Sequence, residues 1–178
     1  IRRDAALERD VRSLGRRIPL LIDESDATLD AFVRARELGY TGVSSKSCKG
    51  FYKSIVNAAR CARWNAADDG TRYFLSGEDL TMQAGLGVQQ DLALVSWLGL
   101  SHVERNGHHY VNGLAAVPEA EQQALLRAHP DLYQSSDGAV RLAIRGGQLA
   151  LSSLVSAPGF TTGQPGAGIS WDAMRSVY

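Results

Sequence analysis

The stretch Pro19-Leu20-Leu21-Ile22-Asp23-Glu24-Ser25 is a short apolar run that ends in two carboxylates and a hydroxyl. A second run, Gly42-Val43-Ser44-Ser45-Lys46, places a lysine 23 positions after Asp23. Short runs of this kind, bounded by polar residues, are typical of buried strands. Both stretches therefore predict a strand with reactive side chains at its end.

A helical pattern connects these two predicted strands. Leu29, Phe32 and Val33 follow the i, i+3, i+4 spacing of a helix, and a glycine ends the pattern. A strand, a helix and a second strand form a βαβ unit, whose two strands run parallel. We therefore expect Asp23 and Lys46 to lie side by side at the C-terminal edge of the sheet, where parallel α/β proteins bind ligands.

The cycle of strand and helix is predicted to repeat along the chain. Strands are expected near residues 19, 42, 73 and 102, a spacing of 23 to 31 residues that is typical of β/α units. The third would end in Ser76-Gly77-Glu78-Asp79 and the fourth near Glu104-Arg105-Asn106. The predicted helix faces are Leu7, Val11 and Leu14; Tyr52, Ile55, Ala59 and Ala62; and Val88, Leu92 and Val95. The predicted fold class is α/β.

The last part of the chain has a different pattern. Pro118 is suited to the first turn of a helix that runs through Leu126. Alternating runs between Val140 and Ser152 flank Gly146-Gly147 and predict a β-hairpin. Residues 1–130 are therefore predicted to form β/α units, and residues 131–178 a C-terminal hairpin and irregular tail.

Composition excludes several partners. The 178 residues carry 19 basic and 19 acidic side chains, so no whole-molecule field attracts nucleic acid or an anionic membrane. Only two cysteines are present, which predicts free thiols in a reducing compartment. No apolar run approaches the roughly 20 residues of a membrane span, so a cytoplasmic protein is expected. A start at Ile1, directly before a helical pattern, suggests the second part of a larger protein.

The strand-end motifs resemble the C-terminal half of the barrel in the enolase superfamily, on the side of muconate-lactonizing enzymes and dipeptide epimerases. The motifs that carry this resemblance are Ile22-Asp23-Glu24-Ser25, Ser45-Lys46-Ser47-Cys48-Lys49-Gly50 and Ser76-Gly77-Glu78-Asp79, with Pro158-Gly159-Phe160 in the tail. The resemblance implies strands five to eight of a TIM-type (β/α)8 barrel over nearly the whole chain. Its tail would pack on a capping domain.

The resemblance also implies a reaction. Enzymes of this superfamily use Mg²⁺ and remove a proton α to a carboxylate, as in racemases, epimerases, cycloisomerases and dehydratases. By the family pattern, Asp23 matches one carboxylate ligand of Mg²⁺, and Lys46 matches the general base or acid. The implied substrate is a small carboxylate.

Part of the family pattern lies outside this chain. The family's other two metal carboxylates and its Lys-x-Lys motif come from earlier strands, and four strands do not close an eight-stranded barrel. Either an N-terminal portion is missing or the chain pairs with another chain, by self-association or otherwise. We expect the isolated chain to have weak activity or none.

The other candidate residues have less specific roles. Glu24 is predicted to support Lys46 or the metal ligand, or to be a surface carboxylate. Asp79 either contacts substrate or caps the next helix. The candidate substrate-binding residues are Lys49, Glu78, Asp79, Asn106 and His108.

Two other functions remain open from the sequence. A non-catalytic half-barrel could serve as a binding or dimerisation module that lacks a complete metal site. A different barrel lyase or isomerase could use a strand-end lysine to form a Schiff base.

Overall fold

A computed structural model of the chain describes residues 3–67, 70–79, 85–105 and 111–158. The chain divides into two compact units. The first unit comprises Ile1–Leu80 and Trp97–Arg105, and the second comprises Thr81–Ser96 and Asn106–Tyr178. Each unit has its own hydrophobic core.

The first unit is built on a four-stranded parallel sheet. Its strands are β1 (Leu21–Ile22), β2 (Gly42–Ser45), β3 (Phe74–Asp79) and β4 (Val103–Arg105), in the order β1-β2-β3-β4. The predicted α/β class and parallel pairing are thus confirmed. The third strand ends at Asp79, and its Ser76-Gly77-Glu78-Asp79 segment continues the pairing with β2 and β4.

Three helices belong to the same unit: α1 (Arg12–Gly15), α2 (Ala31–Glu37) and α3 (Phe51–Asn65). Ile22 and Val43 are paired across β1 and β2, and both belong to the buried core that includes Phe32 of α2. One face of the sheet therefore packs against helices. The buried members of this core are Ala6, Val11, Ile22, Ala31, Phe32, Ala35, Tyr40, Val43, Cys61 and Tyr73.

Two helix predictions in this unit are wrong in detail. The pattern Leu7, Val11, Leu14 predicts one helix, but a 3-10 helix over Arg3–Glu8 precedes the single turn of α1. The backbone N–H of Val11 donates to the carbonyl of Leu38 at 2.8 Å, so it is not available to a continuous N-terminal helix. The second helix starts later than predicted, and Leu29 is left exposed before it.

The buried face of α3 also differs from the prediction. The predicted apolar face includes Tyr52, which is 85% exposed, as well as Ala59 and Ala62, which are also exposed. The buried side chains are those of Lys53, Ser54, Asn57 and Cys61. The buried face of α3 is mostly polar because its side chains form hydrogen bonds to Ser45 of β2 and to the loop after β1.

A close approach between α1 and the end of α2 requires glycine. Gly39 follows α2 with φ +102°, and a Cβ there would lie 2.5 Å from the Cα of Arg12. A Cβ on Gly15 would in turn lie 2.2 Å from the carbonyl oxygen of Gly39. Backbone atoms meet in both cases, so small side-chain adjustments cannot relieve the contact.

We expect Gly39→Ala to lower the free energy of unfolding by about 3 kcal/mol, because it combines a left-handed backbone with a backbone clash. Gly50 is the matched control, since its φ is +100° and a Cβ there meets nothing within 4 Å. Gly50→Ala should lower the free energy of unfolding by only about 1 kcal/mol. Urea unfolding of the three proteins measures both values, and equal losses would show that the close approach contributes nothing.

The second unit contains α5 (Glu119–Ala128), α6 (Ser152–Val155) and all but the last residue of α4 (Leu86–Trp97). It also contains an antiparallel hairpin of β5 (Tyr133–Ser136) and β6 (Ala139–Leu142). Its core is formed by Val88, Leu92, Leu114, Leu125, Leu132, Tyr133, Val140, Leu142 and Leu154.

The hairpin is displaced from its predicted position. Its turn is Asp137-Gly138, where both residues have positive φ (49° and 75°), the backbone that a two-residue hairpin turn requires. The predicted turn, Gly146-Gly147, lies within a single isolated bridge between Arg145 and Gln148. The residues after it form α6 instead of a strand.

A search of the described helices finds none with the length and apolar character needed to cross a membrane.

Candidate functional site

Asp23, Lys46 and Glu78 come together at the C-terminal edge of the sheet. Asp23 follows β1, Lys46 follows β2, and Glu78 is near the end of β3. The Nζ of Lys46 lies 2.7 Å from Oδ1 of Asp23 and 2.5 Å from Oε2 of Glu78. Asp23 and Lys46 are therefore adjacent, as the parallel arrangement predicts, and Glu78 completes a cluster on three neighbouring strands.

The lysine is the most buried member of this cluster. Its side chain is 3% exposed, compared with 12% for Glu78 and 28% for Asp23. Burial by itself lowers the pKa of Lys46, but the hydrogen bonds to Asp23 and Glu78 outweigh it, so the pKa is raised above its ordinary value. Lys46 is thus held as an ammonium ion, with its more accessible partner Asp23 towards solvent.

Lys49 binds the same carboxylate from the short 3-10 helix Ser47–Lys49. Its Nζ lies 3.0 Å from Oδ1 of Asp23 and donates to the carbonyls of Asp23 at 2.8 Å and Ser44 at 3.1 Å. Burial lowers the pKa of Lys49 despite its bond to Asp23. Burial raises the pKa of Asp23, but the bonds from both lysines outweigh it and the pKa is lowered. Lys49, a candidate substrate contact, therefore helps to hold Asp23 ionised.

The cluster lies on the face of the sheet opposite the helices. Ser45 bonds to Ser54 of α3 at 3.0 Å, so it faces the helical side. Side chains alternate along a strand, so Ser44 and Lys46 face the other side. Ser76 is paired with Ser44 and faces the same way. The Oγ of Ser44 is buried without a hydrogen-bond partner among the described residues. The sequence predicts a strand over Ser44 but does not specify which face of the sheet its side chain occupies.

A second set of cations holds the segment between β1 and α2. Lys53 donates to the carbonyl of Asp26 and lies 3.2 Å from its Oδ2. Arg60 donates to the carbonyl of Leu29 at 2.5 Å and to Oδ1 of Asn57 at 2.9 Å. These bonds explain the polar buried face of α3, because the loop after β1 offers carbonyl groups that need donors.

The remaining candidate residues lie elsewhere or are not described. Glu24 is exposed, and the described carboxylate partners of Lys46 are Asp23 and Glu78. The side chain of Asp79, together with Asn106 and His108, lies outside the described residues. Asp79 is the last residue of β3, and its role as a substrate contact or a helix cap stays a prediction.

The described residues do not complete a Mg²⁺ site. Mg²⁺ needs several hard oxygen ligands, and its protein sites combine carboxylates with waters or substrate oxygens. Oδ1 of Asp23 already accepts from two lysines. Within the described ranges, no group of three His, Cys, Asp or Glu side chains could hold a metal ion. Asp23 could provide one ligand, and the others would have to come from elsewhere.

Comparisons with protein-family models, with curated proteins and with solved structures find no match for this chain.

Proposed function

We propose that this chain is the C-terminal half of the barrel of an enolase-superfamily enzyme, in which Lys46 transfers a proton at the carbon α to a carboxylate. Asp23 would be one carboxylate ligand of Mg²⁺, and the remaining ligands would come from another segment or chain. The substrate would be a small carboxylate that undergoes racemisation or epimerisation, cycloisomerisation or dehydration.

The observation that carries this proposal is the buried ammonium of Lys46 between two carboxylates at the C-terminal edge of a parallel sheet. Parallel α/β proteins bind substrates at this edge. The sequential strand order is the order of adjacent strands in a barrel, whereas a doubly wound sheet reverses direction.

The chemistry of Lys46 depends on its protonation state. As an ammonium ion it can donate a proton to a carbanionic carbon or stabilise a developing oxyanion. It can abstract a proton only when neutral, which requires its pKa to fall. Its two carboxylate partners oppose that fall, so neutralising the charge of Asp23 or Glu78 is a condition for base catalysis by Lys46.

A second candidate function is a non-catalytic binding or dimerisation module. The paired ammonium of Lys46 favours it, because a fully satisfied ion cluster can be structural. Among the described strands, β1 and β4 form the two outer edges of the sheet, and Leu21 on β1 is 40% exposed. An outer strand with an exposed apolar side chain can pair with another chain.

Exchange of the α-hydrogen for deuterium distinguishes these two functions. The natural gene product is incubated in D2O with 2-hydroxy acids, N-acylamino acids and dipeptides, with Mg²⁺ or with EDTA. We expect exchange in one substrate class, dependent on Mg²⁺ and strongly reduced in Asp23→Asn. Absence of exchange in every class, together with a defined dimer in analytical ultracentrifugation, would favour the binding module.

A further inference from the structure

A cavity rich in arginine lies at the other edge of the parallel sheet. Its volume is about 550 Å³. Ile18 and Pro19 before β1, Thr41 before β2, and Tyr73 before β3 contribute to its lining. Lys46 lies five residues after Thr41, so the two edges are about 16 Å apart at the rise of an extended strand. The cavity is therefore separate from the Lys46 cluster.

The charged residues that line this cavity are all basic: Arg12, Arg16, Arg17, Arg36 and Arg72. Arg12 is paired with Asp10, whose pKa is lowered to about 2 by hydrogen bonds from Arg12. The described ion pairs include none from the other four guanidinium groups. A concave surface of one sign of charge focuses the local field and attracts the opposite charge.

Arg36 is held in place within this lining. Its guanidinium carbon lies 4.7 Å from the ring centroid of Trp64 and 5.2 Å from that of Tyr73. Its Nε donates to the hydroxyl of Tyr73 at 3.0 Å. The hydrogen bond uses Nε and not the terminal nitrogens of Arg36. These terminal nitrogens have no carboxylate partner among the described residues. The guanidinium is thus preorganised to donate to a ligand.

A further polar group in the lining lacks a partner. The hydroxyl of Thr41 is buried and has no hydrogen bond among the described residues. A buried hydroxyl without a partner is costly, and such groups in native proteins usually bond to water or to a ligand.

We propose that this cavity binds a small molecule that carries phosphate groups. Guanidinium groups match phosphate oxygens in bidentate geometry, and a phosphate group carries more charge than a single carboxylate. The volume lies in the usual range of small-molecule sites, and a concave site suits a compact ligand better than an extended polyanion. The zero net charge of the chain does not oppose this, because the basic groups are concentrated locally. This binding is independent of the proposed function.

Isothermal titration calorimetry with inorganic pyrophosphate tests the proposal on the whole chain. We expect saturable binding with one ligand per chain that weakens as salt concentration rises. The double variant Arg16→Gln/Arg17→Gln removes two exposed lining cations, and affinity should fall at least about tenfold. The double variant Arg34→Gln/Arg63→Gln is the matched control, because it removes two exposed arginines outside the lining. Its affinity should change less than about twofold.

Thr41→Val provides a second variant that retains the arginines. Removing the unpaired hydroxyl should raise the melting temperature of the ligand-free protein and weaken pyrophosphate binding. Absence of saturable binding, or equal loss of affinity in the two double variants, would overturn the proposal. Citrate binding as tightly as pyrophosphate would overturn the assignment to phosphate. Binding of a single-stranded oligonucleotide but not of pyrophosphate would also overturn it.

Discussion

Replacing Lys46 with methionine is expected to lower the free energy of unfolding by about 3 to 5 kcal/mol, the usual cost of removing one partner from a buried ion pair. Methionine fills a similar volume but leaves Asp23 and Glu78 without their shared ammonium ion. Lys49 still bonds to Asp23, whereas Glu78, whose side chain is only 12% exposed, loses its ion pair with Lys46.

The pH dependence of this loss has a defined sign. In the wild type the pKa of Asp23 is lowered, so its contribution to stability is present above its unfolded value and is lost as pH falls through the folded pKa. The pKa of Lys46 is raised, so its contribution is lost only as pH rises through that folded pKa. In Lys46→Met the pKa of Asp23 should be lowered less than in the wild type, so the deficit in stability relative to wild type should shrink as pH falls below about 4.

Urea unfolding at about pH 7 and at about pH 3 measures the loss of stability and its dependence on pH. The double variant Lys46→Met/Glu78→Gln is the control, because it also removes the carboxylate charge that loses its ion pair with Lys46 and keeps the pair between Asp23 and Lys49. It should recover most of the lost stability. A loss below about 1 kcal/mol in Lys46→Met would mean that the cluster is solvated like a surface ion pair.

Lys53→Met is expected to lower the free energy of unfolding by about 3 kcal/mol, because it leaves a buried carboxylate without its ion-pair partner. The side chain of Asp26 is only 2% exposed, and its Oδ1 has no hydrogen-bond partner among the described residues. Burial raises the pKa of Asp26, and Lys53 only partly offsets this effect. Removal of Lys53 should therefore raise the pKa further.

The stability of Lys53→Met should also depend on pH. A carboxylate with a raised folded pKa stabilises the fold below its unfolded pKa, and this contribution is lost as pH rises through the folded pKa. The deficit of Lys53→Met relative to wild type should thus be smaller at about pH 4 than at about pH 8. Thermal unfolding of Lys53→Met at both pH values measures this deficit. The double variant Asp26→Asn/Lys53→Met, which lacks the carboxylate, is measured beside it. A deficit that is independent of pH in the single variant would show that Asp26 does not carry it.

Sequence patterns predicted that Asp23 and Lys46 lie side by side at the ends of neighbouring strands. A crossover helix makes β1 and β2 parallel, so the proximity of Asp23 and Lys46 followed from spacing and topology alone. The participation of Glu78 in an ion pair required the register of β3, which short apolar runs do not specify. The buried face of α3 was missed because Tyr52 and Ala59 fit an apolar stripe, whereas Lys53 is buried by its bonds to Asp26.

Other features had weak or misleading signals in the sequence. Gly146-Gly147 and Asp137-Gly138 are both typical hairpin turns, but only Asp137-Gly138 has paired strands on both sides. The arginines of the cavity are dispersed from Arg12 to Arg72, so only the fold brings them together. Net charge, which is zero for the whole chain, did not indicate them.

Deuterium incorporation at the α-carbon by Lys46→Arg tests the role of Lys46 most directly. Arginine keeps a cation between Asp23 and Glu78 but does not release its proton in proteins. Arg63→Lys, at an exposed position of α3, is the matched control. The proposed role predicts that exchange falls by at least about 100-fold in Lys46→Arg and is unchanged in Arg63→Lys. Exchange at the wild-type rate in folded Lys46→Arg would contradict proton transfer by Lys46.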